Sequence, residues 1–151
     1  MAFAKALSYV RGPTLNFAIM SVGMRQDRAP PEETTMTNKK ALELLKREDV
    51  DAFNKWVEER RKKGKGALDL NDQNLGGLKL RNIDLRDARL SGSNLRKSDL
   101  KGANLKCARL RQADLRGANL EGADLSGADL RQTKKKAVNL KKAVLDGARG
   151  L

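Results

Sequence analysis

Three carboxylates, Asp114, Asp124 and Asp129, lie close together in this 151-residue sequence, and clustered carboxylates are the raw material of general acid–base chemistry. The lone thiol, Cys107, has Lys106 and Arg109 beside it in sequence, and cationic neighbours lower a thiol pKa toward the nucleophilic range. Neither set has the partner it needs. The chain contains no His, which removes the commonest general base and the commonest zinc ligand. One Cys excludes an internal disulfide and any multi-cysteine metal site, and it suits a reducing, cytoplasmic setting. The glycines keep a five-residue beat and form no phosphate-cradling loop ahead of a helix. No catalytic, cofactor-binding or metal-binding residue is assigned, and the sequence reads as a non-enzyme.

The chemistry that remains is cationic. Lys and Arg number 32 against 19 Asp and Glu, a formal charge of +13. The repeat region from residue 67 onward carries 18 of those cations and 10 of the carboxylates. No stretch of about 20 apolar residues is present to span a membrane.

The elements that position these charges follow from a period of five. From Leu70 to Leu145 there are sixteen positions at that spacing; fifteen are Leu and the exception is Lys135. Two residues before each centre, from Ala88 to Ala143, the side chain is Ala, Ser or Thr at eleven of twelve positions, Val138 being the other. The residue directly before the centre is often Asp or Asn, as in Ala113-Asp114-Leu115-Arg116-Gly117. A five-residue step rotates side chains by about 140° on an α-helix, and in a strand it sends them to alternating faces. The leucines share one interior only if the chain corners in every repeat, with Asp, Asn and Gly supplying the turns. Asp114, Asp124 and Asp129 are therefore turn residues. Three extended residues per wall span about 10 Å, which makes a four-sided coil of about 20 residues and a rod of about four coils.

These A(D/N)LXX units over residues 67–149 resemble the pentapeptide-repeat family. The resemblance implies an all-β solenoid, a right-handed quadrilateral parallel β-helix, in which residues twenty apart stack. Arg89 then aligns with Arg109, Arg111 with Arg131, and Arg96 with Arg116 and Lys136, and Lys134 lies beside them. These eight residues are the candidate interaction surface. The expected function is a scaffold that presents a rigid basic face to a protein partner with an acidic surface; the alternative is nonspecific, electrostatic nucleic-acid binding. Absent aromatics in the repeats leave no platform for base stacking. Some family members bind DNA gyrase through an acidic, DNA-like rod, a role that fits a repeat charge of +8 less well.

Three segments are expected: a disordered tail over 1–36, a helical cap over 37–66 and the repeats over 67–151. Thr37 or Asn38 can start a helix carrying Leu42 and Leu45, and Asp49 or Asp51 a second one carrying Phe53, Trp56 and Val57. Residues 1–35 have an acid-poor start that also fits an organellar targeting segment. The larger residues Leu68, Gln73, Leu78 and Ile83 predict a wider first coil touching the cap, and Lys135 predicts a bulge or an ammonium reaching out of the last coil. The coil end around Val144–Leu151 offers a surface for homodimerisation.

Overall fold

A computed structural model describes residues 31–151. The readings for residues 1–30, tail or targeting segment, lie outside the described residues. Helix α1 spans Pro31–Lys46 and α2 spans Val50–Lys62. α1 begins ahead of Thr37, within the segment expected to be a tail, with Pro31 in the first turn, where a missing N–H costs nothing. Ala41, Leu44 and Leu45 form its buried stripe. Glu48 takes a left-handed conformation (φ 56°), and the Asp49 side chain accepts a 3.0 Å hydrogen bond from the Ala52 N–H to open α2. α2 buries Phe53 and Val57 and stops at Gly64, whose φ of 64° favours a residue without Cβ.

The rest of the chain winds as a coil. Thirteen isolated parallel bridges each join a residue to the one twenty later, beginning with Asp69 to Arg89 and ending with Asp129 to Arg149. The bridges fall on four columns. Wall 1 contains Asp69, Arg89, Arg109, Asp129 and Arg149; wall 2 contains Asn74, Asn94, Asp114 and Lys134; wall 3 contains Lys79, Asp99, Asn119 and Asn139; wall 4 contains Asp84, Asn104, Asp124 and Val144. Each wall has a single bridging residue per coil because a corner follows three residues later. At all sixteen corners, from Asp72 to Gly147, φ is positive, and a turn hydrogen bond such as Ala118 N–H to Leu115 C=O (2.9 Å) closes the corner. Where the bridging residue is Asp or Asn, its side chain accepts from the N–H two residues on, as Asn94 does from Arg96 (3.1 Å).

Within the coil, the leucines at the repeat centres from Leu70 to Leu130 are at most 1% exposed, as are the alanines from Ala88 to Ala128 that alternate with them. Ser93 and Ser98 occupy the same inward position, and each donates its hydroxyl to the carbonyl three residues earlier at 2.7 Å, so neither is left unsatisfied. Every coil is tied to the next by three sets of backbone bonds: Leu100 N–H to Asn119 C=O (2.8 Å), Gly102 N–H to Glu121 C=O (2.8 Å), and Asn119 N–H to Ser98 C=O (2.9 Å).

Among the described residues the first coil has no coil beneath it, and side chains of the helical pair take the corresponding backbone groups. Lys79 N–H donates to Glu48 (2.9 Å) and Asp84 N–H to Asn54 (2.8 Å), while the Asn82 and Arg86 carbonyls accept from Asn54 and Arg61. Buried backbone polar groups need such partners. The first coil keeps the same twenty-residue register despite its larger inward side chains, and Leu68 and Ile83 join Phe53 and Val57 in one core cluster. At the other end, the Lys135 ammonium donates to the Gly150 carbonyl and the register continues without a bulge. Val138, Leu140 and Leu145 are only partly buried there.

Candidate interaction surface

Bridging residues and the residues two later both point outward, because the centre between them points in. Wall 1 therefore displays Arg89, Arg109, Arg111 and Arg131, and wall 2 displays Arg96, Arg116, Lys134 and Lys136. All eight residues singled out in the sequence lie on these two adjoining walls. Arg89 and Arg109 are bridge partners. Arg111 lies one coil from Arg131, and Arg116 lies between Arg96 and Lys136, at the coil spacing of about 4.8 Å. Arg89 and Arg116 are half-buried, and the other six are exposed.

Their electrostatic states differ. Arg116 grips Asp114 with two hydrogen bonds (2.8 and 2.5 Å), and Arg131 grips Asp129 in the same way (2.8 and 2.6 Å). The Arg116 hydrogen bonds hold Asp114 down at about 2, and Arg131 holds Asp129 lower still; Arg96 and Arg111, from the preceding coil, add to the two shifts respectively. Two of the eight cations are thus engaged within their own repeats. The signal was readable as the triplet Asp-Leu-Arg, which places both charges on one outer face, and it recurs at Asp84-Leu85-Arg86, where Arg86 is bidentate on Asp84. Among the described residues, Arg89, Arg96, Arg109, Arg111, Lys134 and Lys136 form no ion pair.

Counted by register, wall 2 and its corner carry six cations, including Lys97 and the inward-centred Lys135, against one carboxylate. Wall 1 carries five cations against three carboxylates, wall 3 five against two, and wall 4 two against four. Several of those cations are paired across coils: Arg81 with Asp99 (2.5 Å), Lys101 with Glu121 (3.1 Å) and Lys106 with Asp124 (3.1 Å). Wall 3 also carries an amide ladder, in which Asn119 donates to Asp99 (3.1 Å) and Asn139 to Asn119 (2.9 Å).

Asp124, in the carboxylate group considered for acid–base work, accepts from the Ser126 hydroxyl (2.6 Å) and the Ser126 N–H (3.0 Å), and these bonds lower its pKa. All three carboxylates are bridging residues of their walls and not the turn residues the sequence suggested, the corners falling at Gln112, Gly117, Gly122, Gly127 and Gln132; each is held ionised, so none is poised to move a proton near neutrality. Cys107 is exposed at a left-handed corner (φ 56°). Among the described residues no group of three metal-ligating side chains converges, and no helix is long and apolar enough to cross a membrane.

The sequence profile described as pentapeptide repeats matches residues 69–106 and 93–132, in eight copies. A pentapeptide-repeat protein from Nostoc is 37% identical over 56% of this chain and 69% of its own. The chain belongs to the pentapeptide-repeat family. Its members are generally structural or interaction modules and not enzymes. Two other solved members are similar: HetL, involved in heterocyst differentiation regulation in Nostoc (35% identical, 54% of this chain), and an Arabidopsis thaliana thylakoid-lumen protein (30% identical, 50% of this chain). This chain spans 40% and 63% of their lengths. The superpositions are partial, with TM-scores of 0.39 and 0.38, and 0.27 for the first Nostoc protein. No curated protein matches the sequence.

Proposed function

We propose that this pentapeptide-repeat protein is a non-catalytic interaction module that presents a rigid basic face, walls 1 and 2, to a protein partner with an acidic surface. The single observation behind this reading is the uneven placement of charge: six cations against one carboxylate on wall 2 and its corner, where wall 4 carries two cations against four carboxylates. On the family resemblance the scaffold is a right-handed quadrilateral β-helix, with α1 and α2 as its N-terminal cap. Its backbone is hydrogen-bonded coil to coil, so binding orders little and most of the contact energy appears as affinity. The lone thiol suits a cytoplasmic setting.

The contact set is narrowed by the ion pairs. Arg96, Arg109, Arg111, Lys134 and Lys136 are exposed and carry no internal pair, so they lead the interface, while Arg116 and Arg131 take part only by exchanging one carboxylate for another. The test is the double charge reversal Arg111→Glu with Lys136→Glu, two exposed positions whose loss leaves the core untouched. Retention of an acidic polypeptide should fall at least tenfold while the melting temperature stays within about 2 °C. Undiminished retention by the double variant rejects this face. Preferential capture of duplex DNA, with affinity falling steeply as salt rises, would replace the protein partner with a nucleic acid.

A further inference from the structure

A pocket of about 240 Å³ opens where the end of α2 and the segment after it meet wall 4 of the first coil. Its floor is apolar: Val57, Leu68, Leu85 and Ala88, each no more than 8% exposed. Its rim is charged. Arg60, Arg61, Lys65 and Arg86 line it against two carboxylates, Asp84 and Asp87, and Asp84 is already held by Arg86. Arg61 is anchored through one nitrogen, which donates to the Arg86 carbonyl at 2.8 Å and lies 3.7 Å from both Asp84 and Asp87. Its remaining N–H groups donate to nothing else among the described residues, and a guanidinium has five. Ala88 on its floor is followed directly in the chain by Arg89 of wall 1, part of the proposed basic face.

We infer that this pocket is an anchor site for a polypeptide segment in which one large apolar side chain is flanked by acidic residues. The apolar side chain fills the floor, a flanking carboxylate meets Arg61 and the adjoining rim cations, and the acidic stretch continues along wall 1. The inference rests on the basic-face reading and sharpens it. A purely electrostatic surface accepts any polyanion, whereas an apolar floor rewards only a partner that brings an apolar group, which a phosphate backbone lacks.

The experiment compares two fluorescein-labelled oligoglutamate peptides by anisotropy against the full chain: one carries a single central Phe, the other Ser at that place. The Phe peptide should bind about tenfold more tightly or better, the affinity equivalent of burying one large apolar side chain. Ala67 is exposed on the pocket's edge, so Ala67→Phe fills the space without touching the core. It should erase the difference and leave the weaker, salt-sensitive oligoglutamate binding in place. Equal affinities for the two peptides overturn the pocket and leave the basic face standing. A Phe preference that survives Ala67→Phe also overturns it, since the apolar contact then lies elsewhere. Binding of neither peptide removes the pocket and the acidic-partner reading together.

Discussion

Leu100 is fully buried on wall 3, stacked between Leu80 and Leu120, which are equally buried. Leu145 is the inward leucine of wall 4 in the last described coil and is only partly buried. Truncation of each to Ala removes the same atoms from two different surroundings. At Leu100 the coils on both sides are locked by bonds such as Leu100 N–H to Asn119 C=O and Leu80 N–H to Asp99 C=O, both 2.8 Å, so the walls cannot collapse into the void. The loss should then sit in the upper part of the range for buried leucines, about 3–5 kcal/mol. At Leu145 part of the side chain is already in water, and the loss should be about 1 kcal/mol. With a urea slope of about 2 kcal/mol/M, Leu100→Ala should move the unfolding midpoint down by about 2 M and Leu145→Ala by about 0.5 M. Far-ultraviolet circular dichroism across a urea series measures both. Equal shifts for the two variants would refute the claim that stacking of coils on both sides, and not leucine content, sets the stability of each layer.

Two further outcomes follow from the corners and the ion pairs. At the Gly122 corner (φ 65°) a Cβ would meet nothing within 4 Å, so Gly122→Ala isolates the backbone cost and should destabilise by about 1 kcal/mol, whereas Gln112→Gly (φ 60°) should be neutral to slightly stabilising; urea midpoints for both decide it, and a neutral Gly122→Ala contradicts the reasoning. Asp114 and Asp129 have pKa values lowered by Arg116 and Arg131, so their contribution to stability is complete above the unfolded-state value of about 4 and is lost as pH falls toward about 2. Melting temperature should be level from about pH 7 to pH 4 and drop below that, and Asp114→Asn with Asp129→Asn should lessen the drop, Asp84, Asp99, Glu121 and Asp124 carrying the rest; an unchanged profile in the double variant shows that the two pairs are not among the titrating groups.

The five-residue beat is legible because it is local. Each Leu, each small residue before it and each turn-forming Asp or Asn can be read within one repeat, and the corner is forced by the need to bring Leu100 and Leu105 to a common interior. The register of twenty was accessible through wall length, and with it the stacking of Arg89 on Arg109 and of Arg96, Arg116 and Lys136 in one column. Of the eight cations in the candidate surface, Arg116 and Arg131 end Asp-Leu-Arg triplets and are held by Asp114 and Asp129. Outward geometry alone, two residues apart across an inward Leu, carries that information.

What no single repeat contains is the way the coil's first edge is closed. Asn54 and Asp84 are thirty residues apart in sequence and bond at 2.8 Å; Glu48 reaches Lys79 and Arg61 reaches Arg86 across similar gaps. Nothing in the α1 and α2 sequence names those partners, because the requirement comes from backbone groups left over when the first coil has no coil below it. The pocket bounded by Val57, Leu68, Leu85 and Ala88 arises from the same meeting of helix and coil. The sequence alone therefore determined the repeat, its corners and the columns of charge, each set by neighbours a few residues away. Only the tertiary structure decided which cations are already paired, what closes the first edge and where an apolar floor opens, because those depend on surfaces brought together from distant parts of the chain.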